Sequence, residues 1–255
     1  MMRTTYRVWG CGICLLLLFL GQMAWATEQE RDKQFQEAAS AYSRGDYQAA
    51  IRGFEALAGD GLSSSLLYNL ANSYAQDGQV GRGVLNYERA LRLAPGDSDI
   101  RGNLELLRKE NGLFQEELPY GKRFAGLLGL NQWTVLVLVA FAGCGVILLL
   151  PAAYTLKKRQ RAVALGLCLV LLATAITGAV MSYGHWHKGV VVIADARLRM
   201  SPFESAASIG AIQEGRLLRP GKTHNNYVLV EDETGRSGWL VRDGFELIAT
   251  PQVSR

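Results

Sequence analysis

The stretch "AAYTLKKRQRAV", residues 152–163, sets Lys157, Lys158, Arg159 and Arg161 within five positions. Before it runs "WTVLVLVAFAGCGVILLLPAAY" (133–154) and after it "AVALGLCLVLLATAITGAVMSY" (162–183), each 22 residues long and without a charged side chain. A helix of 22 residues extends about 33 Å, enough to cross a hydrocarbon core of about 30 Å. Buried core helices of a soluble domain would be interrupted by polar positions. Trp133, Tyr154, Tyr183 and Trp186 fall at the ends of the runs, where amphipathic aromatic rings mark the headgroup layer. The reading is a transmembrane hairpin with the basic run as its loop.

This settles what the basic composition means. The chain of 255 residues has a formal charge of +4, and taken alone that invites nucleic acid as a partner. Segment 27–131, however, carries 12 Lys and Arg against 15 Asp and Glu, and segment 188–255 carries 9 against 8. The excess sits in the hairpin loop and at Arg3 and Arg7, so it reports topology, and a nucleic-acid function is excluded.

Sidedness follows from the first residues. "MMRTTYRVWGCGICLLLLFLGQMAWA" has a basic start, an apolar stretch from about Cys11 to Leu20, and Ala24-Trp25-Ala26 as an A-x-A cleavage site. Cleaved or retained as an anchor, such a signal exports residues 27–131. The first span then returns inward, the basic loop is cytoplasmic, and the second span exports the C-terminal part. The expected location is a bacterial inner membrane, with both water-facing parts periplasmic. "CGIC" (Cys11 to Cys14) lies inside the signal, and Cys144 and Cys168 lie in the spans as small packing residues. No cysteine is left in either exported part, so neither depends on a disulfide.

Residues 34–109 repeat with a period near 33, aligning through Gly45 and Gly78. Leu67, Leu70, Ala71 and Tyr74 follow i, i+3, i+4, i+7 spacing on one helix face. Gly78 ends that helix, where a left-handed residue is required. Val84, Tyr87, Ala90 and Leu91 form the facing stripe of the next helix, which Pro95 closes. The first copy offers Ala38, Ala41 and Tyr42, then Ala50, Ile51, Phe54 and Leu57. "DSDIRGNLELLRKEN" supplies a fifth helix with Ile100, Leu104 and Leu107 inward and Asp97 or Ser98 as N-cap. The pattern Leu67-x2-Leu70-Ala71-x2-Tyr74, Gly83-x3-Tyr87, Pro95 resembles the tetratricopeptide repeat. Gly83 stands where that family has alanine, which costs about 1 kcal/mol of helix propensity and permits close helix contact. Such repeats bind peptides on a concave face, so Asn69 and Asn72 have two readings, as ligand contacts or as asparagines bonding neighbouring helices.

From Gly189 the sequence turns to short β-rich runs separated by Ser201-Pro202, Pro220-Gly221, Asn225-Asn226 and Thr234-Gly235. About 60 residues of this kind make a small barrel. Leu198-Arg199-Met200-Ser201-Pro202, Gly210 to Gly215, and Gly235-Arg236-Ser237-Gly238-Trp239-Leu240 resemble bacterial SH3-like domains, with Ser201 departing from the usual glycine. Tyr227 and Trp239 are candidates for an aromatic ligand groove, and Trp239 equally suits a barrel core. His185-x-His187 has a spacing found in some metal sites, but no carboxylates cluster near it in sequence. An interfacial histidine pair is the better reading, and no metal or cofactor is expected.

The expected fold class is a multidomain membrane protein: an all-α tetratricopeptide solenoid, a transmembrane helical hairpin and an all-β SH3-like barrel. Its parts are a signal peptide (1–26), repeats with a capping helix (27–111), and a juxtamembrane linker (112–132). A first span (133–154), basic loop (155–161), second span (162–183) and SH3-like domain (184–255) follow. In the linker, Phe124, Leu127, Leu128 and Leu130 suit either a short interfacial helix or a loosely ordered connection. The chain has no P-loop, nucleophile elbow, zinc motif or Ser/His/Asp set, and its recognisable parts are binding parts, so it is not expected to be an enzyme. The order of modules resembles BatE-type proteins of bacterial aerotolerance operons. That resemblance implies a membrane scaffold or adapter beside von Willebrand A-domain membrane proteins and a MoxR-type AAA+ ATPase. Two rivals are a peptidoglycan-binding wall module and an assembly factor for respiratory or haem proteins using the histidine pair.

Overall fold

A computed structural model describes residues 28–113, 121, 124, 126–149 and 157–249. The cleavage site at Ala24 and Ala26 lies outside the described residues, as do parts of the linker and the start of the loop. The described chain is mixed, with seven helices and a seven-stranded antiparallel sheet. It divides into two compact units at Leu62/Ser63.

The first unit is a helix pair, α1 (28–43) and α2 (Tyr47–Asp60). Gly45, at φ 81°, makes the left-handed turn between them, and Asp46 caps α2 by accepting from Ala49 N at 3.0 Å. Phe54 is fully buried and meets Phe35 edge-on at 5.4 Å. Gly53 lets α1 approach so closely that a Cβ there would lie 2.8 Å from the Ala38 Cβ.

The second unit begins with α3 (Ser64–Gln76), α4 (Val80–Leu93) and α5 (Ser98–Glu110). The expected faces are the buried ones: Leu67, Leu70, Ala71 and Tyr74 on α3, Val84, Tyr87 and Ala90 on α4, and Ile100, Leu104 and Leu107 on α5. Ser63 caps α3, and Asp97 caps α5 by accepting from Asp99 N and Ile100 N. Gly83 is the close-contact point, since a Cβ there would meet Leu107 Cδ2 at 3.0 Å and Ala75 N at 3.4 Å.

Two helices follow that are long and apolar enough to cross a membrane, α6 (Leu130–Leu149) and α7 (Lys158–Trp186). They pack on each other and leave large apolar side chains outward, among them Phe141, Leu149 and Leu167. α6 starts three residues earlier than the 133–154 reading. Trp133 is buried rather than placed as an open anchor. The reason is Gly178 of α7: any Cβ there would lie 2.6 Å from the Trp133 ring, so the missing side chain forms its notch. Phe124 stacks on the same ring at 5.1 Å.

α7 is followed after two residues by β1 (Gly189–Val191). The remaining strands are β2 (Arg197–Arg199), β3 (Ser208–Ala211), β4 (Leu217–His224), β5 (Tyr227–Asp232), β6 (Ser237–Val241) and β7 (Phe245–Leu247), in the order β3-β2-β6-β5-β4-β1-β7. Leu198, Ile212, Leu218, Val228, Val230 and Leu240 form the core of this β module.

The sequence keeps α3–α5 and the strands apart as separate modules, whereas in the structure they share a second core. Val190, Leu217 and Ile248 pack with Val84, Leu85 and Leu113 in one buried cluster. Gly81 is the point of closest approach. A Cβ there would fall 2.3 Å from the Val191 carbonyl oxygen and 2.9 Å from Val192 Cα, both backbone atoms. Gly81→Ala is therefore expected to loosen the β module from α4, read as faster protease cutting at the junction in the detergent-solubilised full chain. Gly102→Ala, where nothing lies within 4 Å, should leave cutting unchanged and stabilise α5 by up to about 1 kcal/mol.

Candidate functional site

Polar contacts fix the α4–β junction in register. Arg89 Nη2 donates to Glu246 Oε2 at 3.1 Å and to the Leu247 carbonyl at 3.0 Å. One turn on, Arg92 Nη1 donates to the Ala249 carbonyl at 2.7 Å. At the other end of α4, Gly81 N donates to Glu214 Oε1 at 2.7 Å, and Gln213 Nε2 reaches the Asn111 carbonyl at 2.7 Å. These bonds cross more than a hundred residues of chain and are made to groups that burial would otherwise leave unsatisfied.

Acids lie beside the junction. Glu88, nearly buried, accepts from Arg108 of α5 at 2.7 Å. Burial pushes the Glu233 carboxyl above its ordinary value, against the pull of Arg108, Lys188 and Arg216. The next acid is shifted the other way. Burial alone would raise Asp232, but hydrogen bonds from Thr234 and Arg236 outweigh it and hold it below the usual carboxylate range. Oδ1 accepts from Thr234 Oγ1 at 2.6 Å and from Arg236 N at 3.0 Å, while Oδ2 accepts from Arg236 Nε at 2.8 Å. This carboxylate closes the β5–β6 turn.

The two asparagines part company in the structure. Asn72 accepts from the Tyr87 hydroxyl and from Asn103 Nδ2, the latter at 3.2 Å, and Asn103 also donates to Tyr68 at 2.9 Å. That network ties α3, α4 and α5 together. Asn69 bonds its own helix, donating to the Ser65 carbonyl at 2.8 Å.

The two aromatic candidates lie on the outer face of the β module. In β5, Tyr227 and Leu229 alternate with buried Val228 and Val230, and in β6 Trp239 alternates with buried Gly238 and Leu240. Half-buried Trp239 is outside the β core. It meets His224 edge-on at 6.4 Å, and His224 meets exposed Phe203 at 5.9 Å. The sequence reading missed Phe203 and His224. The signal available was only that Ser201-Pro202 and Asn225-Asn226 mark two turns, and no local rule brings those turns together.

No family model, curated protein or solved structure matches the chain. The functional reading rests on its own residues.

Of the cations in the basic run, Lys157 immediately precedes α7, while Lys158, Arg159 and Arg161 lie in its first turn. The Lys157 backbone N–H donates to Gln160 Oε1 at 3.2 Å, and Arg161 Nη2 reaches the Leu148 carbonyl near the end of α6 at 3.4 Å. A cation at a helix C-terminus answers its unpaired carbonyls. His187 Nδ1 lies 3.2 Å from the Tyr183 carbonyl oxygen.

Asn72→Ala removes the acceptor of the Tyr87 hydroxyl and one of the two bonds of the Asn103 amide, so it should cost about 1–3 kcal/mol of unfolding free energy by denaturant titration. Asn69→Ala should cost less than about 0.5 kcal/mol. The lowered Asp232 value has a definite sign. Its stabilisation is present above the ordinary carboxylate value of 3.8 and is lost as pH falls through the folded value. Acid unfolding followed by thermal midpoint should therefore steepen below that point in the native chain and flatten in Asp232→Asn.

Proposed function

We propose that the protein is a membrane-anchored, non-enzymatic scaffold. In this reading its tetratricopeptide-like helices and SH3-like β module bind protein partners on the outer side of a bacterial inner membrane. The observation that carries it is the shared core of Val84, Leu85 and Leu113 with Val190, Leu217 and Ile248. These residues flank α6 and α7 in sequence, so a chain crossing a bilayer through those two helices must return to the side it left. A cytoplasmic part limited to the short basic connection leaves no room for an inner domain. The work is done outside or within the bilayer. The core shared by α3–α5 and the strands also presents two kinds of surface together, which reduces the linker entropy that separate modules would lose on engaging a common target.

The partner class comes from the BatE-type resemblance: von Willebrand A-domain membrane proteins and a MoxR-type AAA+ ATPase. The test is affinity purification of the tagged full chain from mild-detergent membranes, with mass spectrometry, compared with a chain lacking the helix pair α1–α2 (residues 28–60), which forms a compact unit apart from the shared core. The expected result is near-stoichiometric recovery of a von Willebrand A-domain protein, lost in the deletion. Recovery without such a protein would sink the partner assignment.

A second reading has its own observation. Trp239, Tyr227 and Phe203 present aromatic surface on the outside of the β module, which suits stacking on the sugar rings of peptidoglycan. Retention of the full chain on purified sacculi, abolished by Trp239→Ala, would shift the function to wall binding.

A further inference from the structure

The β4–β5 hairpin is directed back towards the membrane. This rests on the reading that α6 and α7 cross a bilayer. Contacts at one end of α4 define the membrane-proximal layer. Gly129, which immediately precedes α6, abuts Pro95 and the Arg92 carbonyl. Arg92 in turn holds the Ala249 carbonyl, and Ile248 N donates to the Lys188 carbonyl at 3.0 Å, just after α7. The opposite end of α4, at Gly81, faces the end of β1 at Val191. So β1 runs away from the bilayer, from Gly189 to Val191.

β4 is antiparallel to β1, with Leu218 opposite Gly189, and therefore runs towards the bilayer. It continues to His224, which pairs with Tyr227 at the start of β5. From Leu218 to His224 the strand advances by five paired steps, one residue being taken up by a bulge between Pro220 and Thr223, on the order of 17 Å at about 3.3 Å each. Gly189 itself follows Tyr183, the last residue of the uncharged run, by six positions, the first three of them helical, a rise of up to about 14 Å. A headgroup layer is about 5–8 Å thick on each side, so the hairpin is long enough to reach back into it.

The chemistry of the tip agrees. From Leu217 to Leu229 there is no carboxylate, and Arg219 and Lys222 are exposed. Arg242 N bonds the Asn226 carbonyl at 2.8 Å, which brings exposed Arg242 and its exposed neighbour Asp243 to the turn, so the positive surplus there is that of Arg219 and Lys222. Phe203, His224 and Trp239 flank the same end, and aromatic rings beside cations suit an anionic lipid surface.

We infer that the β4–β5 hairpin tip, with Phe203 and Trp239 beside it, rests on the anionic headgroup layer of the bilayer that α6 and α7 cross. The hairpin, in addition to α7, then fixes the tilt of the β module and with it the direction in which the helices α3–α5 face.

The test uses the full chain with its four cysteines replaced by alanine, and a fluorophore on a single new cysteine. The labelled variants are Asn225→Cys at the hairpin tip, Thr234→Cys beyond the opposite end of β5, and Leu138→Cys on the outward face of α6. Each is reconstituted into vesicles of phosphatidylcholine and phosphatidylglycerol carrying nitroxide either on the headgroup or deep in the acyl chain. Headgroup nitroxide is expected to quench the Asn225 label about twofold or more over the Thr234 label. That contrast should shrink in pure phosphatidylcholine and in an Arg219→Glu, Lys222→Glu background. Equal quenching at 225 and 234, with Leu138 quenched by the acyl-chain probe, overturns the hairpin contact and leaves the membrane spans standing. An undiminished contrast in pure phosphatidylcholine overturns the assignment to anionic lipid. Failure of the acyl-chain probe to quench Leu138 overturns the spans, and the inference with them.

Discussion

The burial of Val190, Leu217 and Ile248 against Val84, Leu85 and Leu113 is the contact on which the second unit depends. It makes α4 a central helix rather than an outer one. From Gly83 to Ala90 every residue of α4 is buried, whereas an amphipathic surface helix would leave more than half its circumference to water. One flank packs on α3 and α5, and the other packs on the strands. Remove the strands and α4 has an apolar flank with nothing to cover it.

A buried helix flank carrying Asn86, Glu88 and Arg89 has to answer for each polar group. Asn86 donates back to the Arg82 carbonyl at 2.9 Å, Glu88 takes Arg108, and Arg89 takes Glu246 and the Leu247 carbonyl. Such bonds add little net stability beyond what water would give, but their absence would be costly. Their effect here is on register. Hydrophobic packing alone is tolerant of sliding, and guanidinium groups aimed at defined oxygens are not.

Much of this was legible in the sequence, and the parts that were not share a cause. Helix faces of α3 to α5 followed from 3.6-residue spacing, and the turns at Gly45 and Gly78 from the need for positive φ. The hairpin followed from two uncharged runs around Lys157 to Arg161. These are local rules. The junction is not local, because residues 81–92 and 189–249 carry no mutual signal in composition or period. The one available hint was Gly81 beside Gly83, two glycines that point to different sides of one helix and so imply close approach on both. Similarly, Trp239 was assignable to core or groove only once its neighbours Gly238 and Leu240 were seen facing inward. Trp133 was read as an interfacial anchor because its notch, Gly178, lies 45 positions later.

The two-sided burial of α4 also has a consequence in time. Leu113 precedes Val190 by 77 residues, so at about 5–20 residues per second the ribosome needs roughly 4–15 s to supply even the first covering strand. Throughout that interval the flank of α4 at Val84 and Leu85 has been synthesised and has no strand to close it. The helices α3–α5 therefore cannot complete their core in order of synthesis. Their final packing is set by the arrival of residues 190–248, which makes the strands the step that completes the fold of the helices before them.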